Sequence, residues 1–176
     1  MKKKLILFSV VCITTLCLTS CGMFSPRVLP KAVNTVNTVG LSELNLVRAD
    51  YQILNTVTAE ATIKCEYDIN SATITDESGD FKLIYNVKNG VWTYKKHKGI
   101  LRLGYLARDI SDETKIYYPE DIARRFAIYR LINAVQEYGA DGIIEPTVST
   151  NVEQINKDDV VYKTTVTGKI IKLKTN

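Results

Sequence analysis

Between Tyr51 and Tyr67 apolar and polar residues alternate. Tyr51, Ile53, Val57, Ala59, Ala61, Ile63, Cys65 and Tyr67 fall on one parity, and Gln52, Thr56, Thr58, Glu60, Thr62, Lys64 and Glu66 on the other. A period of two held this long predicts a long, half-buried antiparallel strand with one face on a core. Asn55 interrupts the apolar parity, so the strand is expected to bend there. Cys65 lies on the apolar parity, which predicts a buried, inert thiol rather than a reactive one.

The apolar face of such a strand needs cover, and one segment is patterned to supply it. Across Pro119–Tyr138, Ala123, Phe126, Ala127, Leu131, Ala134, Val135 and Tyr138 recur at three- and four-residue steps. That spacing is an apolar stripe on a helix. Pro119 suits the first helical position, and Glu120 and Asp121 complement the positive end of the dipole. Gly139 is a suitable stop. Arg124, Arg125, Arg130, Gln136 and Glu137 lie mainly off the stripe, and Arg124-Arg125 reads as a solvated face in preference to a binding patch.

Two alternating runs follow the helix. Gly142–Ile155 places Ile144, Val148 and Val152 on one parity but contains Pro146, which predicts an edge strand or a bulge. After the turn Asn156-Lys157-Asp158-Asp159, Val160–Leu173 puts Val160, Tyr162, Val166 and Ile170 on one face. The order β…αββ predicts an α+β fold: an antiparallel β-sheet of about five to six strands with one main α-helix packed on one face. An exposed Gly142–Ile155 edge would also permit self-pairing.

A second hairpin precedes the helix. Phe81–Lys88 and Val91–Tyr94 flank Asn89-Gly90, the dipeptide that supplies positive φ at both positions of a type I′ turn. Trp92 and Tyr94 sit beside Lys95, Lys96 and Lys98, a set suited to a glycan, an anionic lipid headgroup or nucleic acid. The preferred reading packs the aromatics on the sheet and leaves a solvated lysine tip. Asp76-Glu77-Ser78-Gly79-Asp80 lacks the ligand alternation and distal Glu of a calcium loop, and reads as a turn with solvated charges. Gly99 and Gly104 punctuate residues 99–109, which reads as irregular or a short strand.

The N-terminus sets the compartment. Lys2, Lys3 and Lys4 precede an uncharged, mostly apolar run from Leu5 to Leu18. That run is shorter than the ~20 residues a spanning helix needs. A basic head, a short apolar run and small residues before a cut make a secretory signal. Leu18-Thr19-Ser20-Cys21 resembles the bacterial lipobox. The resemblance implies a diacylglyceryl thioether on Cys21, cleavage before it, and acylation of the new amine by a fatty acid such as palmitate. An ordinary secretory signal with an incidental Cys21 is the alternative. The lipobox pattern divides the chain into a signal at 1–20, a lipidated cysteine and Pro-containing tether at 21–40, and one domain at 41–176. Gly22 follows the cysteine with no acid up to Pro26, which by lipoprotein sorting patterns favours a periplasm-facing place on the outer membrane.

Composition then excludes several functions. The 176-residue chain has 23 basic and 19 acidic residues; without Lys2, Lys3 and Lys4 it has 20 against 19. A near-neutral mature chain gives no basic field for nucleic acid. Cys12 and Cys17 leave with the signal, Cys21 carries lipid, and Cys65 is left without a disulfide partner. One cysteine and one histidine, His97, make no metal site. No G-x-S-x-G, H-E-x-x-H or glycine-rich phosphate loop occurs, so no catalytic residue and no cofactor is expected. A carboxylate pair drawn from Asp76, Glu77 and Asp80 is the remaining hydrolytic option, and nothing in the sequence favours it.

Ala123-x₃-Ala127-x₆-Ala134-x₄-Gly139-Ala140-Asp141-Gly142-Ile143-Ile144 resembles small Bacteroidota-type lipoproteins of unknown function. In these a helix ending Gly-Ala-Asp runs directly into a buried strand. Leu41-Ser42-x₂-Asn45 and the closing Thr165–Ile171 belong to the same resemblance, and the Phe81–Tyr105 region departs from it. The resemblance brings no catalytic residues. The expectation is a non-catalytic envelope lipoprotein with a structural or protein-interaction role. The alternative is a ligand-binding module that uses Trp92, Tyr94, Lys95, Lys96 and Lys98.

Overall fold

A computed structural model describes residues 29–36, 47–106 and 116–174. In chain order the elements are β1 (Lys31–Val36), β2 (Tyr51–Asp68), β3 (Ser71–Asp76), β4 (Lys82–Lys88), β5 (Val91–Lys98), β6 (Leu101–Leu106), α1 (Pro119–Glu137), β7 (Gly142–Gln154) and β8 (Asp159–Leu173). Six strands form one antiparallel sheet in the order β5-β4-β3-β2-β8-β7, and β1 pairs with β6 in a separate parallel ribbon. The fold is α+β: mostly sheet, with one helix packed on it.

The long alternation of β2 makes it the spine of the sheet. It pairs with β8 from Tyr51 to Glu66 and with β3 from Ile63 onward. Its register slips between Ile53 and Asn55, so the interrupted parity is accommodated by a bulge at Leu54. Ala61, Ile63 and Cys65 are buried on the inner face together with Ile74, Leu83, Val166 and Ile170. Tyr51, Ile144 and Ile171 form a smaller cluster.

β7 is an edge strand, and its pairing with β8 is interrupted between Ile144 and Thr147. Glu145 has φ of 52° there. Pro146 has no N–H to give to the ladder, so the irregularity sits at the edge where it costs least. In the β4–β5 turn, Asn89 and Gly90 have φ of 52° and 77°, the conformation a two-residue hairpin turn demands.

The helix is covered on two sides. Ala123, Ala127 and Leu131 are buried toward the sheet; Phe126 meets Phe81 at 6.0 Å between centroids, and Arg130 donates to the Glu60 carbonyl of β2 at 2.6 Å. At 3.6 residues per turn, Arg125, Ile128, Tyr129 and Ile132 face the other way. There β6 lies against the helix, the Asn34 amide donates to the Asn133 side chain, and Arg125 stacks on Tyr105 at 4.7 Å. The apolar stripe read from the sequence therefore covers only part of the buried surface. Ile122, Ile128 and Ile132 are buried as well, whereas Tyr138 is exposed and its hydroxyl accepts from the Asn55 amide. Arg125 is half-buried rather than solvated.

β1 falls inside residues 21–40, the segment expected to be a tether. It is a strand because β6 offers it a complete parallel ladder, from Lys31 opposite Leu101 to Val36 opposite Leu106. Its six residues alternate too weakly to announce themselves. β6 settles the ambiguous 99–109 region as a strand over Leu101–Leu106; residues 107–109 lie outside the described residues, as do the signal, Cys21, Leu41, Ser42 and Asn45.

Candidate functional site: the β4–β5 edge hairpin

The five residues expected to act together are divided between the two faces of one hairpin. Val87 opposes Trp92 and Tyr85 opposes Tyr94, which puts both aromatics on the core face. The register then slips at Lys95, between the Tyr85–Tyr94 and Ile84–Lys96 pairs. Beyond the slip, Lys96 opposes Ile84 and Lys98 opposes Lys82, on the outer face. The structure thus brings Lys96 and Lys98 together with Lys82 and Ile84, and separates them from Trp92 and Tyr94.

On the core face Trp92 is the hub of an aromatic cluster. Its ring meets Tyr85 at 5.4 Å, Tyr118 at 5.5 Å and Tyr67 at 6.1 Å, each edge to face. Such arrangements set the positive edge of one ring on the negative face of another. Tyr118 comes from the residue before the helix, so the cluster ties the hairpin to the helix N-terminus. The adjacent Tyr117 N–H donates to the Tyr85 hydroxyl at 3.2 Å. Burial pushes the Tyr85 phenol up to about 12, and raises Tyr67 as well. Tyr94 and His97 share a hydrogen bond of 2.6 Å between the hydroxyl and Nδ1.

Side chains able to do chemistry have structural engagements. Cys65 is fully buried, and desolvation pushes its thiol up to about 11, partly opposed by a hydrogen bond with Tyr67. A thiol held in its neutral form is a poor nucleophile. Asp76 corrects the expectation of a solvated acidic turn, since it is only 6% exposed. Its Oδ1 accepts from the Phe81 N–H at 2.9 Å and its Oδ2 from the Ser78 hydroxyl at 2.6 Å. The carboxylate therefore organises the β3–β4 turn. Glu77 pairs with Arg130 of the helix. Among the described residues, no three of His, Cys, Asp and Glu are grouped to hold a metal, and no helix is long and apolar enough to cross a membrane.

On the outer face the sheet shows two different charge patterns. Over β2 and β8, lysines meet carboxylates: Lys163 reaches Glu60 at 3.0 Å, and Lys64 reaches Glu66 at 2.8 Å and Asp159 at 3.2 Å. Hydrogen bonds from Lys163 hold the Glu60 carboxyl below its ordinary range, and Asn156 and then Lys64 do the same for Asp159. Over β4 and β5 the lysines instead line an open depression of about 360 Å³, formed by Lys82, Ile84, Lys96, His97 and Lys98. The composition of the Trp92–Lys98 run does not point to Lys82. The signal that could have found it is the hairpin register, which the Asn-Gly turn fixes up to the slip at Lys95. No protein-family profile, curated protein sequence or solved structure matches this chain.

Proposed function

We infer that this chain is a lipoprotein of the bacterial envelope, akin to the small Bacteroidota-type lipoproteins it resembles. It is held to the outer membrane through acylated Cys21, faces the periplasm, and works by contact with another envelope component rather than by catalysis. The observation that carries this reading is Leu18-Thr19-Ser20-Cys21 behind a basic head and an apolar run, and β1 bears on where the domain would then sit. Nine residues lie between Cys21 and Lys31, where the chain enters a ladder with β6 that is packed on the helix. An anchor at Cys21 would thus hold the whole domain close to the membrane. Contact rather than catalysis is supported by the structural work already assigned to Cys65, Asp76 and His97.

Mass spectrometry of the mature chain tests the anchor. The expected result is a chain that starts at Cys21 and carries diacylglyceryl and amide-linked acyl groups, with Cys21→Ser moving the protein out of the membrane fraction. A mature chain that is unacylated, or that retains residues 1–20, overturns it. Crosslinking in intact cells with the native anchor tests the contact role, and a single stoichiometric envelope partner is expected. Detection of a turnover reaction by the purified protein would count against the role. A second reading, a ligand held by the hairpin, is favoured for anionic groups by Lys96 and Lys98. The engagement of Trp92 with three tyrosines argues against stacking on a glycan.

A further inference from the structure

The lysines of the edge hairpin sit where the fold itself gains nothing from them. Lys82 is directly opposite Lys98, and like charges so placed destabilise a sheet. No ion pair relieves them among the described residues, although the lysines of β2 and β8 on the same face are matched by acids. The outer positions of β3 are Ser71, Thr73 and Thr75, and those of β4 and β5 include no carboxylate. Ile84 follows Lys82 by two residues and opposes Lys96, so an apolar side chain lies among the lysines that line the depression. A local rule broken without compensation inside the fold points outside it.

The chain enters the fold beside this patch. The Pro30 carbonyl accepts from the Leu101 N–H at 2.9 Å. Leu101 follows Lys98 by three residues, so at most about 11 Å of chain separates them. The nine residues from Gly22 to Pro30 reach about 30 Å at full extension. A membrane anchored at Cys21 is therefore within about 45 Å of Lys98 even at full extension of the tether, and the two can be brought into contact without disturbing the fold.

We propose that this basic edge is the membrane-facing surface of the domain, and that its ligand is the phosphate headgroup layer of an anionic bilayer. The proposal rests on the reading of Cys21 as the anchor. Each lysine brought to an anionic surface favours apposition by about fivefold, within a Debye length of the charge. The short tether supplies the high effective concentration that lets so small a patch act. A neutral glycan has no use for three unmatched ammonium groups, and the rings that would stack on it point to the opposite face of the hairpin.

The test uses the native acylated protein reconstituted in vesicles. One set is phosphatidylcholine alone and the other is rich in phosphatidylglycerol. Lysines are footprinted with an amine-acetylating reagent and read by mass spectrometry. Acetylation of Lys82, Lys96 and Lys98 is expected to fall by about tenfold or more on the anionic vesicles, and to recover at raised salt. Lys157, in the β7–β8 turn, is expected to label equally on both. Lys95, exposed and adjacent to Lys96 in β5, is expected to share the protection, to lose it in a K82E/K96E/K98E variant and to keep it in K157E. Equal labelling on the two vesicle types overturns the proposal, as does protection at Lys157 matching that of the patch. Protection by inorganic phosphate on neutral vesicles also overturns it, because the patch would then bind free anions. The mass of the Cys21 peptide from the same sample reports separately whether the anchor is present. Vesicles added to an unacylated chain then show whether the anchor or the headgroup contact has failed.

Discussion

Two residues carry more than their sequence context suggests. Trp92 is in contact with three tyrosines from β2, β4 and the segment before the helix. Each edge-to-face pair contributes about 0.5–1.5 kcal/mol beyond area burial. Trp92→Ala is therefore expected to cost about 3 kcal/mol, read as a lower urea midpoint, while leaving the lysine footprint on vesicles unchanged in the folded protein. Asp141 joins the helix end to the last strand. Its Oδ1 accepts from Lys172 at 2.9 Å and its Oδ2 from the Leu173 N–H at 2.8 Å. These two bonds, the Lys172 one foremost, hold its carboxyl below the ordinary range. A carboxylate with a depressed native value contributes stability above the unfolded value of about 3.9 and loses it as the pH falls through the native one. Asp141→Asn should accordingly be less stable than the parent near neutrality. The gap in denaturation midpoint should close as the pH is lowered below about 4. A gap that does not change with pH would assign the effect to packing.

At the scale of elements, the close fit of β6 against the helix depends on Gly104. A Cβ there would fall inside the radii of the Tyr129 nitrogen and the Ile128 backbone carbon. Backbone cannot give way as a flexible side chain can, so Gly104→Ala is expected to cost about 3 kcal/mol or to prevent folding. Chemical denaturation measures it, and a change within about 0.5 kcal/mol would mean that β6 is not seated on the helix. The helix itself ends in a Schellman arrangement. The Ala140 N–H reaches the Val135 carbonyl at 3.3 Å, and the Gly139 N–H reaches that of Gln136 at 3.0 Å. This stop was legible because Gly139 stands just past the periodic run. The burial of Ile128 and Ile132 was not, because their side of the helix is covered by strands from two distant parts of the chain.

For the molecule as a whole, β1 closes the fold. It pairs with the whole of β6 and touches the helix, and the Lys31 ammonium lies over the Tyr117 ring at 5.3 Å. A chain that begins at Asn37 would leave β6 with an open edge and uncover apolar surface. Such a truncation is expected to lower the thermal midpoint by more than about 5 °C and to raise the binding of a hydrophobic dye. An unchanged midpoint would show that β1 is dispensable and would return residues 31–36 to the tether. The outer face then has two regions of different charge: a neutralised lattice over β2 and β8, and an unmatched basic edge over β4 and β5.

By itself the sequence determined what local periodicity and turn chemistry can encode. The two-residue alternation of β2, the three- and four-residue rhythm of the helix, and the positive-φ requirement at Asn89-Gly90 each act over a few neighbouring residues. The α+β class follows from their order. What only the tertiary structure decided depends on register and on pairing across the chain. A single slip at Lys95 turns the lysines to the face opposite Trp92 and Tyr94, because successive strand side chains point to opposite sides. Likewise a short run before the first long strand becomes structure only when β6, about seventy residues away, arrives to pair with it.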